Sequence, residues 1–94
     1  MNRELHIRSY FSVETDLAGE MEDWPEFVAG EGYSVDLRDR DSEATVTVRL
    51  IHEQDGRYVQ VAGLGEGVLF DCVVGRVIYA LSAHSDDLMV ERWR

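Results

Sequence analysis

The chain has 94 residues, enough for one domain around a single hydrophobic core, and 45% of them are hydrophobic and fall in periodic blocks, which excludes a disordered chain. Its formal net charge is −10, and a field of that sign repels phosphate, so direct nucleic-acid binding and attachment to anionic membranes are disfavoured. No apolar run approaches the roughly 18 residues of a membrane span, the stretch MNRELHIRSY lacks the apolar centre of a signal peptide, and the single Cys72 has no disulfide partner, so a soluble cytoplasmic protein is expected.

In chain order, Leu5, Ile7, Phe11 and Val13 share one parity, while His6, Arg8, Tyr10 and Ser12 share the other. This period of two predicts a half-buried strand over residues 4–13. From Thr15 the period lengthens: Leu17, Met21, Trp24 and Val28 follow helical spacing, with Thr15 or Asp16 as N-cap. Pro25 interrupts that pattern, so a short helix ending near Asp23 and a separate turn over 25–29 are expected.

Gly30-Glu31-Gly32 breaks the chain, after which Tyr33, Val35 and Leu37 alternate with Ser34, Asp36 and Arg38 as a second strand. The polar run 39–42 turns it back into the alternation of Ala44, Val46, Val48 and Leu50, rich in β-branched neighbours. Asp55-Gly56 then predicts a hairpin leading into 57–62, with Val59 and Val61 inward.

The organising stretch is 68–84. On a helical wheel Phe70, Val73, Val77, Ala80 and Leu81 form one stripe, with Leu69 and Val74 as shoulders. Asp71, Gly75 and Ser82 lie opposite, with Cys72, Ile78 and Tyr79 near them, and Cys72 is expected to be a buried or half-buried small hydrophobe. A turn over 85–87 and a closing strand over 88–93, with Leu88 and Val90 inward, complete the chain. The expected architecture is a single α+β domain, 1–94: a two-layer sandwich with a mainly antiparallel sheet of four to five strands, in the element order β-α-β-β-β-α-β, packed on one long and one short helix.

Chemistry-bearing patterns are weak. Gly63-Leu64-Gly65-Glu66-Gly67 sits where phosphate loops occur, between a strand and a helix, but Val68 stands where the dinucleotide pattern needs glycine. A P-loop needs a lysine, and the chain has none. His84, Asp86 and Asp87 could form a local metal or acid–base cluster, yet they read more simply as a helix end and a turn. Cys72 and His84 lie about 18 Å apart along one helix, too far for a nucleophile–base pair. No cofactor and no metal are implied.

Acid is distributed unevenly. Between Arg8 and Arg38 stand Glu14, Asp16, Glu20, Glu22, Asp23, Glu26, Glu31 and Asp36 with no basic residue, interleaved with Trp24, Phe27 and Tyr33. A solvated face is the plain reading. The sharper one is a non-catalytic acidic protein-interaction module, of the inhibitor or immunity type, that contacts a basic protein through Glu20, Glu22, Asp23, Trp24, Glu26 and Phe27. Two alternatives belong to other classes. One is a self-associating structural subunit, a homodimer meeting through Cys72, Gly75, Ile78, Tyr79 and Ser82, since Gly75 in mid-helix invites a packing reason, unless residues 17–28 lie across that strip instead. The other is a small-molecule-binding or enzymatic domain assembled from scattered positions.

Overall fold

A computed structural model describes residues 2–8, 19, 21–31, 33–53, 56–65, 67–82 and 87–93. Six strands and one helix are found among them: β1 (Asn2–Arg8), β2 (Phe27–Glu31), β3 (Ser34–Arg38), β4 (Thr45–Glu53), β5 (Gly56–Leu64), α1 (Leu69–Ser82) and β6 (Met89–Arg92). All strand pairs are antiparallel, in the spatial order β2-β3-β4-β5-β1-β6. The expected sheet of four to five strands is therefore one of six, and the expected element order misses a strand.

The missing strand is β2. A turn was expected over 25–29 and a break at Gly30, because Pro25 and two glycines crowd the segment. Instead the chain turns twice before Phe27: the Trp24 N–H donates to Met21 O (3.0 Å) and the Phe27 N–H to Trp24 O (3.0 Å). It then runs along β3, pairing Phe27 with Leu37 and Gly30 with Val35 across a bulge between Phe27 and Ala29. Partner hydrogen bonds supplied by β3 outweigh the weak strand preference of Ala-Gly. Of the expected N-terminal helix, 15–18 and 20 lie outside the described residues, while Gly19 and Met21 are helical. Residues 9–13 of the expected first strand likewise lie outside them.

Side-chain parity sets the core. Ile7, Val35, Leu37, Val46, Val48, Leu50, Val59 and Val61 all project to one face of the sheet, where Leu69, Phe70, Val73, Val77 and Leu81 of α1 cover them. Each such aliphatic side chain stabilises the fold by roughly 1.5 to 3 kcal/mol when fully buried. Met21 joins this core, and Trp24, Phe27, Val74, Ile78 and Leu88 pack at its margin. Gly63 lets α1 approach: a Cβ there would stand 2.6 Å from Phe70 Cδ2. Gly65 and Gly67 turn the chain into α1 with φ of 92° and 122°, values glycine adopts without strain.

One local expectation is corrected and another is refined. Cys72 is exposed rather than half-buried, because it lies on the side of α1 away from the sheet. Val90 pairs with Ile7 and so faces the α1 side as expected, but it stays partly exposed because β6 runs along the edge of the sheet.

Candidate functional site

The acidic segment divides once its partners are seen. Glu26 is an internal ion-pair residue: Arg76 Nη1 of α1 donates to its Oε1 at 2.9 Å, and the same guanidinium lies 5.2 Å from the Trp24 ring centroid. This Glu26–Arg76–Trp24 clamp ties the turn before β2 to the helix. Phe27 is half-buried against the core, and the Arg38 N–H donates to Glu26 O (2.8 Å), which anchors the start of β2 to β3. Glu22 and Asp23 project outward from the turn and Glu31 from the far end of β2, all exposed, and no described cation stands at ion-pair distance from them. Glu20 lies outside the described residues. Trp24, Glu26 and Phe27 thus form a fixed base, and Glu22 and Asp23 form a free acidic rim.

Beside this base is a depression of about 420 Å³ lined by Pro25, Glu26, Phe27, Val28, Arg38, Asp39, Arg40 and Ser42. The bulge at Phe27/Ala29 accounts for its shape, since it turns Val28 outward to 61% exposure while Phe27 stays on the core side. Sequence periodicity could not indicate this hollow. Its wall, the turn after β3, is held by the Asp41 N–H donating to Asp39 Oδ1 (2.9 Å).

The outer strip of α1 is solvent-facing. Cys72, Gly75, Tyr79 and Ser82 are exposed, Tyr79 at 82%, whereas Ile78 turns toward the core margin. Among the described residues, nothing beyond the helix's own backbone lies within 4 Å of where a Cβ on Gly75 would stand. Met21 is buried in the core and Trp24 lies against Arg76, so neither fills space over Gly75.

The face of the sheet away from α1 carries a cluster that sequence parity assigned to solvent. His6 is 4% exposed and stacks between Tyr58 (centroids 4.3 Å apart) and Trp93 (4.5 Å). Its Nε2 lies 2.7 Å from Glu4 Oε2, and since a carboxylate oxygen accepts, Nε2–H is the donor. Arg8 lies over Tyr58, 4.7 Å from its centroid, and reaches Glu91 (3.4 Å) and Glu53 (3.9 Å). Burial raises the Tyr58 phenol above its ordinary pKa, the neighbouring Glu53 carboxylate adds to the rise, and Arg8 opposes it. A His–Glu pair suggests a general base, but His6 Nδ1 is buried without a partner among the described residues and cannot meet a substrate. The cluster joins β1, β5 and the end of β6 through ring stacking and ion pairs. A smaller hollow of about 240 Å³ near Thr47, Ala62 and Glu4 lies on the same face.

Other sequence candidates gain nothing from the geometry. His84 and Asp86 lie outside the described residues, and no group of three His, Cys, Asp or Glu side chains that could hold a metal occurs among the described residues. Among those residues no helix is long and apolar enough to cross a membrane. The chain matches no protein-family model, no curated protein and no solved structure.

Proposed function

We propose that the chain is a non-catalytic acidic interaction module, of the inhibitor or immunity type, that binds a basic protein through the flank running from Glu22 to Glu31. The observation that carries this reading is the free acidic rim: Glu22, Asp23 and Glu31 stand exposed without a described counter-charge, above Trp24 and Phe27 held firm by the core. A rigid base avoids the entropic cost of ordering a loop on binding, and a net charge of −10 steers a cationic partner toward it.

Capture from the native cell extract at low and high salt identifies the partner, and binding kinetics with that purified partner then test the site. Reversing Glu22→Arg together with Asp23→Arg should slow association about tenfold or more at low salt, with the difference shrinking as salt rises. Glu26 is spared in this design because it holds Arg76. An unchanged association rate would remove the flank from consideration. Self-association through α1 is a second reading, favoured by the 82% exposure of Tyr79 and the open space over Gly75.

A further inference from the structure

We propose that the acidic flank takes its partner by strand addition: an extended basic segment pairs with the outer edge of β2 as a seventh strand and sets one side chain into the adjoining depression. The inference rests on the acidic-module reading and names its mode of binding.

Three observations converge on this edge. β2 ends the sheet, Val28, Ala29, Gly30 and Glu31 are all exposed, and no described strand pairs with its outer main-chain groups. Those N–H and C=O groups can exchange water for a partner strand at little geometric cost. Protein edges are ordinarily blunted by charge, proline or inward-pointing ionic groups. Here Pro25 precedes the strand, Val28, Ala29 and Gly30 are small and uncharged, and only Glu31 carries charge.

The second observation is the depression of about 420 Å³ beside β2, lined by Pro25, Phe27 and Val28 together with Glu26, Arg38, Asp39, Arg40 and Ser42. In strand addition the main chain supplies affinity, and pockets for alternate side chains supply choice of partner. A side chain with an apolar stem can lie along Pro25, Phe27 and Val28 while the polar lining stays hydrated.

The third is charge. Glu22 and Asp23 lie in the turn that leads into β2, and Glu31 lies at its end, so cationic side chains flanking the inserted one meet acid at both ends. The same acid disfavours a second copy of the chain, which would bring Glu22, Asp23 and Glu31 toward their own kind. The opposite edge, β6, is less suited. It has four residues, includes Arg92, lies beside Arg8, and neither depression adjoins it.

The test uses the full chain and a nine-residue peptide of alternating arginine and valine, with two further versions N-methylated at every second residue in either phase. N-methylation removes the main-chain donors on one edge and keeps the charge. The expected result is slowed amide exchange at residues 28–31 when the unmodified peptide binds, and an affinity at least tenfold weaker for one methylated phase. Equal affinity for all three peptides, reduced by salt and by Glu22→Arg with Asp23→Arg, would overturn strand addition while leaving the acidic-module reading standing. Absence of binding by every peptide would also overturn strand addition, and the acidic module would then stand or fall on the charge reversal with its captured partner. Protection of the same amides without peptide, growing with protein concentration, would assign the edge to a second copy and overturn the proposal.

Discussion

The two faces of one sheet reach low exposure by different physics. Toward α1, apolar side chains interlock: Val35, Val48, Val59, Val61 and Val73 are all fully buried, and the described residues of this core are all hydrophobic. Away from α1 no helix is found among the described residues, and burial is local, a column of Trp93, His6 and Tyr58 flanked by Glu4, Arg8 and Glu91. The first face gains by removing area from water, which grows with every methylene. The second gains from ring contacts and charge-assisted hydrogen bonds, which depend on a few groups being in place. Loss of one residue should therefore be felt more deeply on the first face and more sharply tied to chemistry on the second.

The largest effect should come from the α1 face. Leu81→Ala removes a side chain only 2% exposed and leaves a hole between helix and sheet, and it should lower the unfolding free energy by about 2 to 4 kcal/mol in urea titration. A midpoint equal to wild type would show that this face is not close-packed. On the opposite face, His6→Ala should cost about 1 to 3 kcal/mol through two lost ring contacts and the small void left behind. His6→Phe keeps the column and removes the buried, unpartnered Nδ1 but also loses the hydrogen bond to Glu4, so it should cost less than His6→Ala. Equal losses for alanine and phenylalanine would mean that the Glu4 hydrogen bond, not stacking, holds this face.

The smallest effect lies on the outer side of α1 itself. A methyl group on Gly75 meets open space, so Gly75→Ala should raise stability by about 0.5 to 1 kcal/mol through helix propensity alone. Mass by light scattering, run on the same pair, separates propensity from assembly. A dimeric wild type that dissociates on this substitution would show that the strip faces a second copy, where the methyl is unwelcome.

Much of the fold was legible because two periods carry it. The stripe of Phe70, Val73, Val77 and Leu81 and the parities of β1, β3, β4 and β5 depend on local spacing, and the residues buried between sheet and helix follow those spacings. β2 was hidden because Pro25 and the glycines around Ala29 break up the strand-favouring pair Phe27 and Val28, so the segment takes its conformation from pairing with β3. The His6 column was hidden for a related reason. His6, Tyr58 and Trp93 are far apart in sequence and meet only when β1 lies between β5 and β6, with Ile7 opposite Val59 and with the Trp93 N–H donating to Glu4 O. Local pattern does not encode register between distant strands. The acidic segment was visible as a charge run, but its division into a clamped Glu26 and a free Glu22 and Asp23 depended on Arg76, fifty positions onward.

The place of β1 within the sheet also governs the order in which the molecule can assemble. β2, β3, β4 and β5 form a meander of neighbours in sequence, so each hairpin closes a short loop. β1, made first, has no partner until β5 exists, and β6 has none until β1 has docked, since it pairs only with Leu5 to Arg8. Closing those two long loops carries the larger entropic cost and slows the later steps of folding. Until they close, β5 presents a bare edge of Tyr58, Val59 and Val61, and a nascent chain held at that stage is the form most exposed to pairing with the wrong strand.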